Sequence, residues 1–283
     1  MGLELTVLFY SIIFTLSLCV GSFINVAVYR IPKMLFFDWF LQCYEFLNLQ
    51  PKFKKAPSLG LNLFFPSSHC PSCQKKICLI DNIPIISYCF LKGRCRNCQQ
   101  KISIKYPITE MITASCSLIV AWKFGVKLEL VFALLVTWTL ILQAGIDFQE
   151  SLIPDEITLP MLWLGLIINN FNVFVSLQEA VIGSIVGYLI FWVIYWLFKI
   201  VTGKDGIGQG DFKLIAMLGA WFGYKTLPLI VLLSTTMGSL VGGILILLKK
   251  YNKDSPIPFG PYLAIAGWVV LLWGNAINKW YWQ

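Results

Sequence analysis

Eight apolar runs, at positions 5–29, 108–124, 128–146, 157–171, 177–198, 212–222, 227–248 and 259–277, make up just over half of this chain and carry few charges. A helix needs about twenty apolar residues to cross the hydrocarbon of a bilayer, and most of these runs approach or exceed that length. Lipid offers no hydrogen-bond partner to a backbone, so a spanning segment must be a helix or part of a closed barrel. These runs are continuous rather than alternating, which selects helices. Composition agrees: 58% of the residues are hydrophobic and 13% are charged, about half the charge of a soluble domain. Eleven Trp, eleven Tyr and twenty-one Phe suit aromatic belts at two interfaces. The expected fold is an all-α polytopic membrane protein with about eight transmembrane helices. Run 212–222 is too short to cross alone and is expected to be a partial helix enclosed by protein, which leaves seven as the other possible count.

The first run has no basic segment in front of it and Arg30 follows it directly, so it reads as a retained span with its N-terminus outside. Eight spans from that start place 30–107, 199–211 and 249–258 on the cytoplasmic side. Eighteen of the 22 Lys and Arg residues fall in or beside those loops, among them Lys199, Lys204, Lys213, Lys249, Lys250 and Lys253. Only Lys123, Lys127, Lys225 and Lys279 fall outside. That asymmetry is the positive-inside pattern.

The chain then divides into a first helix (1–29), a cytoplasmic insert (30–107) and a transmembrane core (108–283). The insert holds twelve of the basic residues against Asp38, Glu45 and Asp81. A basic face beside the inner leaflet attracts anionic lipid, and no nucleic-acid recognition motif accompanies it. It also contains Cys70-Pro-Ser-Cys73 and Cys95-Arg-Asn-Cys98. Two such pairs form two tight turns whose four thiolates suit a tetrahedral zinc ion, and a cytoplasmic location disfavours disulfides. A zinc-ribbon-like, four-cysteine insert is therefore expected, with His69 as a possible spare ligand. Cys19, Cys43, Cys78, Cys89 and Cys116 read as packing residues.

Ionisable residues at the ends of apolar helices are costly to desolvate and deserve a functional reading first. Asp147 closes the run Leu140-Ile-Leu-Gln-Ala-Gly-Ile146, and Asp211 follows Gly206-Ile-Gly-Gln-Gly210 and opens the next. Two spans separate them, yet the topology puts both at the cytoplasmic edge. Two carboxyls brought close share a proton, so one can act as base on a water while the other donates to a carbonyl. That is aspartic-protease chemistry and needs no metal. The glycines beside Asp211 would let a substrate strand approach closely. Competing readings are a helix cap for Asp211, Asp155 and Glu156, loop solvation for Asp205, and an ion- or proton-coupled carrier that uses the paired aspartates. No serine sits in a nucleophile elbow and the lone His69 rules out a histidine pair, which disfavours a Ser/His hydrolase.

Several further motifs run along the chain: Gly21-Ser-Phe-Ile-Asn25 with Tyr29-Arg-Ile-Pro32, Asp81-Asn-Ile-Pro84, Tyr106-Pro107 with Glu110, Leu152-Ile-Pro-Asp155, Thr158-Leu-Pro160, Gly208-Gln-Gly-Asp-Phe-Lys-Leu214, Gly219-Ala-Trp221 and Pro258-Phe-Gly-Pro261. In number and order, together with the two cysteine pairs, they resemble the bacterial type IV prepilin peptidase/N-methyltransferases, a GxGD-type aspartic protease family. The resemblance implies a polytopic helical bundle in the inner membrane, with Asp147 and Asp211 as the catalytic pair and structural zinc on Cys70, Cys73, Cys95 and Cys98. It implies substrates too: type IV prepilins and type II secretion pseudopilins, whose short basic leader is removed and whose new N-terminus is methylated from S-adenosylmethionine. Asn25, Arg30 and the insert are candidates for the methyl-donor site only because family motifs cluster there. An acidic group of Glu110, Glu150, Asp155 and Glu156 is expected to attract the basic leader. Residues 34–65 match no family pattern.

Overall fold

The computed structural model describes residues 3–48, 61–203, 208–248 and 258–282. Helices occupy all eight apolar runs, and the only β-structure among the described residues is two isolated bridges. Lys204, Asp205, Gly206, Lys249, Lys250, Lys253 and the Phe53-Lys-Lys55 stretch lie outside the described residues. Four helices, Glu4–Phe46, Leu128–Glu150, Leu177–Thr202 and Tyr224–Leu245, are long and apolar enough to cross a membrane. The chain divides into two compact units, Met1–Trp122 and Lys123–Gln283.

In the first unit, α1 (Leu3–Phe46) does not stop at Tyr29 but runs through Pro32 for another three turns and more. A proline inside a helix removes a single backbone bond, and the helix continues until Asn48, in the left-handed conformation just past Phe46. Below Pro32 the chain returns to α1 through Arg30. Its buried guanidinium donates to the carbonyls of Asn62 at 2.8 Å, Leu63 at 3.3 Å and Pro66 at 2.6 Å. A short helix, α2 (Ile86–Phe90), follows the first cysteine pair, and α3 (Lys105–Phe124) follows the second. Asn25 of α1 donates its amide to the Tyr106 carbonyl at 3.0 Å.

The second unit is built around α7 (Gln209–Phe222), whose residues from Asp211 to Phe222 are buried apart from a half-buried Lys213. Its fourteen residues span about 21 Å, short of the roughly 30 Å of hydrocarbon. Past Lys213 the helix is apolar on every side, which is the signature of a helix surrounded by protein. Three others pack directly against it, α5 (Asp155–Asn169), α6 (Leu177–Thr202) and α9 (Gly260–Trp282), with α4 (Leu128–Glu150) packed on α9, and α8 (Leu227–Leu247) packed on α9 and, more lightly, on α7.

The α6–α7 contact is the closest. A Cβ on Gly183 would come 2.5 Å from the Gly219 carbonyl oxygen, and one on Gly219 would strike the Gly183 carbonyl. Small residues let helix backbones approach when no hydrophobic drive separates helix from lipid. At the far end of α7, Asn169 donates to the carbonyls of Ala220 at 2.8 Å and Trp221 at 3.0 Å, and accepts from the N–H groups of Phe174 and Val175. The Trp221 indole donates to the Met161 carbonyl at 2.8 Å. The two Asn169 bonds to Ala220 and Trp221 satisfy helix-end carbonyls that lipid could not.

Gly183→Val should therefore destabilise the protein by about 1–3 kcal/mol through overpacking. Thermal unfolding in detergent checks this, with Gly243→Val, where open space surrounds the glycine, expected to match the parent.

Candidate active site and metal centre

Asp147 lies in the last turn of α4 and Asp211 in the first turn of α7, and each is more than nine-tenths buried. Gly208 is the N-cap of α7, and the Asp211 carboxyl reaches back to its N–H, while the Asp211 N–H bonds the Gly208 carbonyl at 3.1 Å. An acidic side chain three residues past the N-cap that returns to the cap's N–H is half of a capping box. The cap reading and the functional reading of Asp211 are thus compatible, and the same carboxyl does both. Asp147 receives its hydrogen bond from elsewhere: the Gly260 N–H at the start of α9 donates to its Oδ2 at 2.9 Å. The two carboxyls lie near enough for the charge on Asp147 to act on Asp211.

Ile153, buried in the α4–α5 connection, fills the space between their supports. Its Cβ lies 2.8 Å from where a Cβ on Gly210 would sit, and its Cδ1 lies 3.0 Å from that of Gly260. The open face of this glycine segment, expected to admit a substrate strand, is occupied from within. At Gly210 it is taken by Ile153, and at Gly208 by the Asp211 carboxyl, 3.3 Å from an added Cβ. Deeper in α4, one turn from Asp147, Gln143 donates to Thr158 at 2.8 Å and Thr158 donates on to the Pro154 carbonyl at 2.9 Å, which ties α4 to α5. Two buried carboxyls, each held by one backbone N–H at a helix start, can exchange a proton with a water and a carbonyl between them.

Two of the four acids of the expected group are engaged by other groups. Asp155 is engaged by Lys213 of α7, at 2.6 and 2.7 Å, and does not cap α5, whose N-cap is Pro154. Glu110 is buried in the first unit, where it accepts the Ile85 N–H at 2.8 Å. That bond fixes a β-branched residue at φ 58°, a strained conformation that leaves its N–H in need of a firm partner. Glu150 and Glu156 stay exposed.

In the insert, the Sγ atoms of Cys70, Cys73, Cys95 and Cys98 all lie within 4.8 Å of one another, and none is disulfide-bonded. The Cys70–Cys98 separation is 3.7 Å, against about 3.8 Å for two thiolates on a tetrahedral ion with 2.3 Å metal–sulfur bonds. The donor set fits one metal ion. His69 is outside the cluster and its ring faces the Ser67 carbonyl at 3.3 Å. The two halves superpose in pattern. Cys-x-x-Cys-Gln-x-Lys-Ile occurs at 70–77 and again at 95–102, a repeat that extends well past the cysteine spacing itself. Each half makes the same bonds: Cys70 N–H to Lys75 and Cys95 N–H to Gln100, Ile77 N–H to Ser68 and Ile102 N–H to Gly93. Each places its glutamine, Gln74 or Gln99, at positive φ, and each closes on a bridge, His69 with Lys76 or Arg94 with Lys101.

Backbone N–H groups of Cys73 and Ser72 pull the Cys70 thiol down to about 6. Cys98 is drawn down by the Gln100 N–H, yet burial and the sulfurs of Cys95, Cys70 and Cys73 push it up to about 11. A cation among the four removes that mutual opposition, which is why such clusters are metal sites. Of the other cysteines, Cys19, Cys43, Cys78 and Cys89 are exposed rather than packed in the protein interior, and Cys116 is half-buried.

Residues 15–124 match the bacterial peptidase A24 N-terminal domain, and residues 134–243 match the type IV leader peptidase family. The chain is 47% identical to the prepilin leader peptidase/N-methyltransferase of Aeromonas hydrophila, over 97% of this chain and 94% of that protein. It is 48% identical to that of Pseudomonas aeruginosa, over 95% and 91%, and 42% identical to that of Legionella pneumophila, over 96% and 94%. No solved structure matches.

Purified protein should carry about one divalent ion per chain, and Cys98→Ser should lose it while keeping the helical far-ultraviolet spectrum. Elemental analysis after dialysis decides this, and an unchanged metal content would count against the four-cysteine site.

Proposed function

The chain belongs to the type IV leader peptidase family, and on that premise we propose that Asp147 and Asp211 cut the leader from type IV prepilins and type II secretion pseudopilins. The observation that carries this is the pair itself: two aspartates 64 residues apart in sequence, each more than nine-tenths buried, at helix ends of one compact unit. One carboxylate takes a proton from water as that water attacks the scissile carbonyl. The other donates its proton to the carbonyl oxygen; as the C–N bond breaks, the first carboxyl gives its proton to the leaving nitrogen and the second takes one back from a diol hydroxyl. The carrier reading of the same acids draws no support from the relatives.

The chain also has N-methyltransferase activity by its family. S-adenosylmethionine would supply the methyl group to the amine that cleavage frees. Arg30 spends its guanidinium on three backbone carbonyls and Asn25 spends its amide on Tyr106, so both hold the fold together where they stand. In our reading the four cysteines hold zinc, which ties the two halves of a basic insert that would otherwise have little core. That insert and both aspartates face the cytoplasm at the inner membrane, and the basic surface of the insert meets anionic lipid. The three-part division into 1–29, 30–107 and 108–283 follows this assignment. The substrate's apolar helix lies among the spans with its leader left in the cytoplasm, and exposed Glu150 and Glu156 attract that basic leader.

Purified protein incubated with a pilin precursor should release the leader, and with S-adenosylmethionine the product should gain one methyl, both read by mass spectrometry. Asp147→Asn or Asp211→Asn should slow cleavage by at least about 10³-fold, the scale of general acid–base catalysis, while the protein still inserts. Full processing by either variant would sink the assignment.

A further inference from the structure

α9 opens with four residues whose N–H groups have no partner inside the helix. Pro261 has no N–H to give, and those of Tyr262 and Leu263 go to the Phe259 carbonyl at 3.0 and 3.2 Å. The Gly260 N–H remains, and it points at Asp147 Oδ2 at 2.9 Å in a buried setting. A side chain at 260 is incompatible with this bond, because its Cβ would lie 2.7 Å from that same oxygen and 3.0 Å from the carboxyl carbon. Glycine here is not needed for backbone freedom. It is needed because the carboxyl occupies the space where a methyl group would be.

Two further contacts tie the Gly260 segment to Asp211. Ile153 touches both Gly260 and Gly210, the residue before Asp211. On the other side, the Phe259 ring stacks near Phe191 at 6.2 Å between centroids, and Phe191 lies 6.4 Å from Phe212, the residue after Asp211. The start of α9 is therefore held to the start of α7 on both flanks, and Asp147 is held to the start of α9.

We propose that Gly260 is a positioning residue of the aspartate pair: its N–H aims the Asp147 carboxyl, its missing side chain leaves room for it, and Ile153 keeps it at a set distance from Asp211. This rests on Asp147 and Asp211 being the cleaving pair. Gly260 touches no substrate, so its loss changes the alignment of a catalytic group and not the binding of the prepilin.

The test is steady-state leader removal by the full-length protein in detergent, with Gly260→Ala, Ile153→Ala, Asp147→Asn and, as a control at a glycine with open space around it, Gly243→Ala. Gly260→Ala should lower kcat about 100-fold with KM within about twofold of the parent, the scale of a misplaced catalytic group. It should still methylate a pilin supplied without its leader, which shows that the protein is folded. Gly243→Ala should behave as the parent. A parental kcat in Gly260→Ala overturns the proposal, as does a raised KM at unchanged kcat. Should Gly260→Ala also lose methylation and thermal stability, Ile153→Ala decides, because it adds no atom. A kcat about tenfold lower at unchanged KM supports the proposal, and a parental kcat overturns it. Cleavage by Asp147→Asn would instead overturn the underlying reading, an outcome separate from either.

Discussion

A helix of fourteen residues cannot cross a bilayer, yet both of its ends must find hydrogen-bond partners that lipid does not provide. The second unit is organised by that constraint. At one end of α7, Asn169 collects two carbonyls and returns two acceptor bonds to the following loop. At the other, Asp211 folds back onto the N–H of its own cap. The close α6–α7 glycine contact brings a spanning helix within backbone distance of the short one, so α7 is shielded along its length. A carboxyl at the start of an enclosed helix is then placed at a depth set by packing rather than by the membrane surface. The same enclosure that makes α7 stable makes its first turn a site.

The insert solves a different problem. Between α1 and α3 the described residues form little regular structure, and much of their apolar surface is exposed, including Phe64, Phe65, Ile80 and Phe90. So small a hydrophobic core cannot order such a segment, and the usual remedy is a cross-link or a metal. Here the four thiols come from two copies of one pattern, so a single ion would close two identical turns against each other. Arg30 and Glu110 add fixed points in the same unit, one gathering carbonyls and the other an N–H from a strained residue. Both are buried charges used as hydrogen-bonding centres, and removing a partner from such a group is costly.

The eight helices were legible because continuous apolar runs admit no other spanning structure, and the short one was legible as enclosed because 212–222 falls well below a span's length. The two aspartates stood out as charges at helix ends, and the four cysteines by spacing. The extent of α1 was not legible, because the apolar run breaks at Arg30 while the helix runs on to Phe46. Nor were the pairings of Asp155 with Lys213 and of Glu110 with Ile85, since both join residues distant in sequence, and two of the four acids are spent on structure. Gly260 lay inside a recognised motif without a role, because a glycine's pattern does not say which atom fills its vacant side. The cysteine repeat was readable throughout, and self-comparison of the insert would have found it.

What remains is why two aspartates are tolerable at this depth at all. Removing a carboxylate from water costs several kcal/mol even after relaxation. One charge-assisted hydrogen bond from a backbone N–H returns about 1.5–3 kcal/mol, and a helix N-terminus adds up to about 2 kcal/mol in a partly buried geometry. Asp211 has both from α7 and Asp147 has both from α9, which lowers the cost of a charge at each position, although Asp147 also lies in the last turn of α4, whose dipole opposes a negative charge. Two charges at once are another matter: were the carboxyls about 4 Å apart, their repulsion at an effective dielectric near 20 would be about 4 kcal/mol. At that separation the supports would be sufficient for one negative charge shared over two sites and insufficient for two. A pair in that condition offers a base and an acid together, and helix starts from two different elements keep either role open to either residue.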